Sequence, residues 1–452
     1  MLWEFATSGR ELAAPALDTE GNVYVPSPAN KLHAIDRQGR QKWQFATPDS
    51  HFQYASAVIG RNGTIYLATF PFLYALSASG QELWRAEGAD MAPPALSAAG
   101  TIYVSSRGLL TALGTNGARI WTFAFPGSSE GPPVIKADGT VYAVIGAQFP
   151  NPDPCLYGDH TCSTNVTVYV LCGFSQQGTP VWTSDRIPWT GCDWGGPGWG
   201  WAAVAPDGTI LMNSAAYRPA GPEPPPYYLQ DWWMPPTAGI GSPPFSVVIG
   251  NTGGFYYGGC DQSVYFGGSP PYDGTPYLHA VNPDGSLKWE VPVEGGLLGA
   301  AVDAQENIYF GTGKGKFLAL DGQGNTLWQL DLGSAVGIPT LGPDGVIYVG
   351  TAAGKVFAIK VAAGPGASPW PQFQRNAQHT GSMESYLTIS KSRQLSLAGI
   401  PTRAYRIEFS DTLANPRWRA LTNVTLATDT QSFPDLLPTN SAGGFYRAVL
   451  LP

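Results

Sequence analysis

Between residues 189 and 233 the chain gathers the side chains best equipped for recognition: Trp189, Asp193, Trp194, Trp199, Tyr227, Tyr228, Asp231, Trp232 and Trp233. Flat indoles and phenols beside carboxylates suit stacking on sugar rings or other planar, amphipathic ligands. Trp201, Tyr272, Asp261 and His160 lie in neighbouring stretches. The structural alternative is that these aromatics pack long, proline-rich loops against one another; Trp201, which opens a strand, fits that use best. His160, next to Asp159, is of a type that serves as a general base, a metal ligand or a solvated loop residue.

No residue is assigned a catalytic role and no metal set is assigned. The serines of FPGSSEG, at 125–131, read as turn residues rather than as a nucleophile elbow. HExxH, CxxC, CxxCH and DxDxDG spacings do not occur. GTGKGK at 311–316 looks like a phosphate loop, but it recurs in register as GTAAGK and opens no helix, so it reads as a strand connection. His33 and His279 fall in strands, His51 in a loop and His379 in the stretch QHTG. Cys155 and Cys162 bracket the polar loop PCLYGDHTCS, where a local disulfide is expected. Cys172 sits in an apolar strand as a buried thiol, and the pairing of Cys192 and Cys260 stays open.

The elements that must carry these residues are repeats. Glu306 to Trp328, ENIYFGTGKGKFLALDGQGNTLW, alternates short β-branched and aromatic runs with polar turns, a meander of antiparallel strands. With the preceding AAVDAQ it makes four strands in about 40 residues, the period of a propeller blade. Tryptophan to the next IYV-like tyrosine recurs from Trp3 to Tyr24, Trp43 to Tyr66, Trp84 to Tyr103, Trp121 to Tyr142, Trp233 to Tyr256, Trp289 to Tyr309 and Trp328 to Tyr348. Trp182 to Leu211, a longer interval, supplies the eighth unit. A small residue precedes the tryptophan by a constant spacing, as in Ala34 and Trp43 or Ala319 and Trp328, which lets an indole pack flat between sheets. The last unit lacks a tryptophan strand and the chain opens with one, LWEFAT, so the N-terminal strand is expected to close the ring and remove its exposed edges.

The pattern AxDxxGxxxW, present as AIDRQGRQKW, AVNPDGSLKW and ALDGQGNTLW, resembles the tryptophan-docking repeat of the pyrroloquinoline-quinone-like eight-bladed propellers. That superfamily includes quinoprotein alcohol dehydrogenases and barrel-assembly lipoproteins of the outer membrane, so the resemblance implies a fold but not one activity. Quinoproteins of this kind resemble one another in an adjacent cysteine pair and a calcium-holding Glu/Asn/Asp set. No CC dipeptide occurs, and no cofactor is expected. WPQFQRNAQHTG, at 370–381, resembles a segment flanking such propellers in secreted bacterial proteins. YRIEFSDTL with the later FYR resembles a C-terminal β-module of secreted proteins from Verrucomicrobia-like bacteria.

The expected organisation is an all-β chain: an eight-bladed propeller over 1–366, a linker over 367–382 and a small β-sandwich over 383–452. Insertions are expected at 147–164, after Trp182, at AAYRPAGPEPPPYYLQDWWMPP and after Tyr256 and Tyr257, all at second-to-third turns or blade-to-blade connections. Those positions share one face of the disc, over blades four to six. Loops gathered on one rim of a rigid scaffold are where binding usually resides.

Composition limits the partners. Charged residues make up 13% of the chain and net charge is −8, with pI near 5.1, which repels nucleic acid. No run of about 20 apolar residues occurs, so no membrane span is expected. The chain is expected to open inside a blade strand, with no leader in it; a secreted or cell-surface location, or a periplasmic one, is what the resemblance and the cysteines imply. The expected role is a non-catalytic binding or assembly scaffold with a protein or glycan partner on the insertion face. A polysaccharide lyase or hydrolase on the same scaffold is one alternative, and a surface or filament subunit self-associating through its C-terminal module is another.

Overall fold

The computed structural model describes all residues except 8, 28–29, 49–55, 90–91, 107, 126–127, 151–164, 184–201, 206–208, 213–214, 220–227, 234–245, 259–275, 366–367, 369–371, 374, 377–378, 383–385, 390–393, 400–402, 411–416, 427–429, 435–444 and 452. Among the described residues, eight four-stranded antiparallel sheets follow one another along the chain. Blade one is typical. Its strands are Ala16–Leu17, Val23–Ser27, Lys31–Ile35 and Gln41–Ala46, each bonded to the next. First strands of neighbouring blades pack side by side and are wholly buried, so they line the axis. Fourth strands alternate exposed with half-buried residues, as an outer edge must.

Blade eight takes its fourth strand from the other end of the chain. Trp3–Ala6 pairs antiparallel with Lys355–Lys360, Trp3 opposite Ala358 and Ala6 opposite Lys355. The expected closure is therefore realised, and the sheet edge that Lys355–Lys360 would expose is covered.

The repeat pattern has one geometric cause. In blades one, two, three, six and seven an alanine of the third strand stands opposite the tryptophan of the fourth, followed at once by a bulge: Ala34 and Trp43, Ala75 and Trp84, Ala112 and Trp121, Ala280 and Trp289, Ala319 and Trp328. The indole lies against the tyrosine of its own blade, with ring centroids 5.8 Å apart for Tyr24 and Trp43 and 6.0 Å for Tyr66 and Trp84. It then reaches the next blade. Trp3 donates its N–H to the Arg37 carbonyl (2.9 Å), Trp43 to Ala78 (3.0 Å), Trp84 to Thr115 (2.9 Å), Trp121 to Gln176 (2.8 Å) and Trp289 to Gly322 (3.1 Å). The glycine of the receiving turn has positive φ and lies under the ring: a Cβ on Gly117 would sit 2.7 Å from Trp84. Thus Ala, Asp, Gly and Trp in the motif are a floor, a turn cap, a docking surface and a clamp.

Two departures from the sequence reading concern blades four and five. Ser128–Ile135 is the first strand of blade four, so Ser128 and Ser129 lie in a strand and not in a turn. In blade five Ala215–Pro219 is the third strand and Tyr228–Trp233 the fourth. AAYRP and YLQDWW are therefore sheet, and the intervening 220–227 is a third-to-fourth turn, on the opposite face from the second-to-third turns. A proline at the end of one strand and a polar, proline-rich turn had disguised the hairpin.

The tail forms six strands in two three-stranded sheets, ordered Tyr386–Ile389, Gln394–Ala398, Thr430–Pro434 and Arg419–Thr425, Ala404–Ser410, Phe445–Leu450. Leu397, Tyr405, Ile407 and Leu426 form its core. Arg406 and Arg447 flank the almost buried Glu408 at 2.7 and 2.6 Å and hold its carboxyl below the usual range.

Candidate functional site

The described strands fix where each insertion leaves the ring. The second and third strands of blade four, Val141–Pro150 and Asn165–Phe174, are the longest in the propeller and pair over ten residues before the connection 151–164. The connection from blade four to blade five spans 184–202, that from blade five to blade six 234–247, and the second-to-third turn of blade six 259–276. All four leave from one face. Blades one, two, seven and eight close the equivalent second-to-third turns with three or four residues.

Trp189, Asp193, Trp194, Trp199 and Tyr227 lie outside the described residues, as do Cys155, Cys162, Cys192, Cys260, His51, His160, Trp201, Asp261 and Tyr272. Tyr228, Asp231, Trp232 and Trp233 belong to the fourth strand of blade five. Trp232 stands opposite Ala216 with a bulge directly after the alanine, the register of the docking tryptophans. Trp232, not Trp233, is therefore the blade-five member of the repeat. Cys172 is buried in the core of blades three and four.

The buried histidines are structural. His279 stacks on Tyr257 (5.1 Å, 21° between planes) and its Nδ1 lies 3.4 Å from Glu290, yet burial keeps it below the ordinary histidine pKa. His33 contacts Gln41 at 3.2 Å and the edge of Phe5, and burial lowers it likewise. A neutral imidazole inside a sheet has neither the exposure nor the poised pKa of a general base.

Sequence reasoning missed Glu11, which lies beside the closing seam of the ring, near the face that carries the insertions. It is 1% exposed, and its Oε1 is 2.5 Å from the Thr7 hydroxyl, itself 3.0 Å from the Gly354 carbonyl. One hydroxyl proton cannot fully serve both acceptors. The Glu11 carboxylate therefore shares its Thr7 donor with the Gly354 carbonyl. Burial raises the carboxyl to about 7, with Thr7 and Ser27 only partly offsetting it. A lone glutamate ahead of LAAPAL gives no signal for this in the sequence.

Among the described residues no group of three or more His, Cys, Asp and Glu is arranged to hold a metal ion, and the sequence has no adjacent cysteine pair. These residues do not fit the quinone and calcium equipment that the repeat resemblance brings to mind. Among the described residues no helix is long and apolar enough to cross a membrane.

Comparison with known proteins agrees with the fold. Quinohemoprotein alcohol dehydrogenase from Comamonas testosteroni superposes with a TM-score of 0.56 at 16% identity, over 81% of this chain and 77% of that one. BamB from Moraxella catarrhalis matches at 16% identity over 78% and 83% of the two chains, with a TM-score of 0.36. Virginiamycin B lyase from Staphylococcus aureus matches at 9% identity over 80% and 99%, with a TM-score of 0.45. No curated protein matches. The model of one family, outer membrane protein assembly factor BamB, matches residues 72–191 and 232–399, well over half of the sequence. The tryptophan-clamped repeat and that match give one conclusion: the chain belongs to the family of outer membrane protein assembly factor BamB.

Proposed function

We propose that this protein is an extracytoplasmic, non-catalytic binding or assembly scaffold whose partner, a protein or a glycan, contacts the face carrying the insertions of blades four to six. The observation that supports the reading is the common exit of four connections of 14 to 19 residues from adjacent blades, where blades one, two, seven and eight make the equivalent second-to-third turns in three or four. A ring clamped blade to blade offers a rigid platform, and recognition then resides in what the platform carries. Trp189, Asp193, Trp194 and Trp199 belong to the connection from blade four to blade five and are the first contact residues to test. Tyr228 opens the fourth strand of blade five directly after 220–227, at the opposite face, so it and Tyr227 are not contact residues of the insertion face, and Asp231 lies farther along that strand. Trp232 has a clamp's register and Trp233 its neighbour's, so neither is a clean probe of binding.

The test is a glycan array and a crosslinking screen against envelope proteins, run with the unmodified chain, with Trp194→Ala/Trp199→Ala, and with 220–227 shortened on the opposite face. Binding lost in the double variant and kept on shortening 220–227 supports the reading. Cleaved glycan in the array would instead make the protein an enzyme, and binding lost only on shortening 220–227 would move the site to the other face.

A further inference from the structure

The stretch read from sequence as a linker, 367–382, and the residues 364–365 before it have described members that stay on the ring. Their described members meet seven of the eight blades around the axis. In blade seven the Ala304 N–H donates to the Gly364 carbonyl at 2.9 Å and Asp303 bridges Pro365. In blade six the Ser368 hydroxyl donates to the Ile249 carbonyl. Gln372 takes both backbone groups of Leu341 in blade eight: the Leu341 N–H donates to Oε1 at 2.7 Å, and Nε2 donates to the carbonyl at 3.1 Å.

Phe373, 1% exposed, packs with Leu12, Ala14, Leu298 and Ile338 from blades one, seven and eight. His379, fully buried, lies between the Ala57 carbonyl (3.2 Å), at the start of blade two, and the Thr340 hydroxyl (3.3 Å). The Leu96 and Ile135 N–H groups of blades three and four then donate to the Thr380 and Gly381 carbonyls, both at 2.9 Å. Leu96, Ile135, Ile249 and Leu341 each end the first strand of their blade. That end of the channel is opposite the second-to-third turns.

We propose that the axial channel is a peptide-binding socket and that the described residues of 364–382 belong to its resident ligand, a plug bonded to both the starts and the ends of the inner strands. Recognition is of a peptide: backbone donors at the ends of inner strands take its carbonyls, one apolar pocket takes Phe373, and Gln372 reads the backbone of blade eight. Inner strands of a closed ring have no further sheet neighbour, so these backbone groups need such a partner. The plug also holds the C-terminal module, because Arg375 Nη2 donates to the Gly399 carbonyl at 2.7 Å.

Amide hydrogen exchange on the full chain tests this. The amides of Leu96, Ile135, Ala304 and Leu341 are expected to exchange as slowly as those of Tyr66 and Tyr309 inside second strands. Gln372→Ala is expected to speed the Leu341 amide by about tenfold, the worth of one backbone hydrogen bond, while Tyr66 stays unchanged. Exchange of the four amides at loop rates in the unmodified protein would overturn the proposal, whether or not the variant folds. So would a Gln372→Ala protein in which Leu341 is unaffected.

Discussion

Glu11 and His379 are buried titratable groups whose protonation the fold constrains in opposite senses. Glu11 rises from 4.5 to about 7, so between those values the folded protein holds a proton that the unfolded chain has lost. Its contribution falls as pH rises from 4.5 to 7 and is level beyond, a loss of about 3 kcal/mol by pH 8. Glu11→Gln, an isostere that cannot ionise, should match the parent in thermal unfolding at pH 5 and exceed it at pH 8. Equal melting at pH 8 would mean that the carboxyl is not held neutral. His379 is pushed by burial from 6.5 down to about 3, with the Ala57 carbonyl opposing. The neutral ring contributes stability that is complete above pH 6.5 and declines toward pH 3, by about 1.4 kcal/mol per pH unit. His379→Gln should flatten that acid limb, measured as urea midpoints from pH 7 to pH 4.

At the scale of the element, the clamp between blades depends on a turn glycine that a side chain would ruin twice. Gly117 has φ of 77°, and an added Cβ would press on the Trp84 indole at 2.7 Å. Gly63 has the same φ but open space around it. Gly63→Ala should therefore cost about 1 kcal/mol from backbone strain alone. Gly117→Ala should cost about 2–4 kcal/mol, because overpacking adds to the strain. Equal losses in chemical denaturation would show that the docking contact contributes little. This pairing explains what the sequence made legible. A contact repeated around the ring leaves the same Ala, Gly and Trp at the same intervals, so fold, closure and most blades could be read from letters. Blade five was misread because its hairpin turn is as long and proline-rich as an insertion. The plug was unreadable for a different reason: the contacts of Gln372, Phe373 and His379 each occur once in the molecule, and unrepeated contacts leave no period.

For the whole molecule, closure is the property on which the rest depends. Glu306 adds to it at the blade six to blade seven boundary. It adopts φ of 64° where other blades have glycine, and accepts from the Tyr256 hydroxyl and the Asn251 N–H, both at 2.8 Å. Decoration of one face and anchoring of the C-terminal module through Arg375 both presuppose a ring that does not open. The seam between blades eight and one is held by four residues from the start of the chain, by Trp3 on Gly39, and by backbone bonds from Leu2 to Ala358 and Thr7 to Gly354 at 2.8 and 2.7 Å. Removing residues 1–6 leaves Lys355–Lys360 an unpaired edge and blade one without its incoming indole. Thermal unfolding of that truncated chain is the most direct measurement. A closed ring predicts a midpoint lower by several degrees, with protection lost first in blades eight and one; an unchanged midpoint with full protection at Val356–Ile359 would contradict closure by the N-terminal strand.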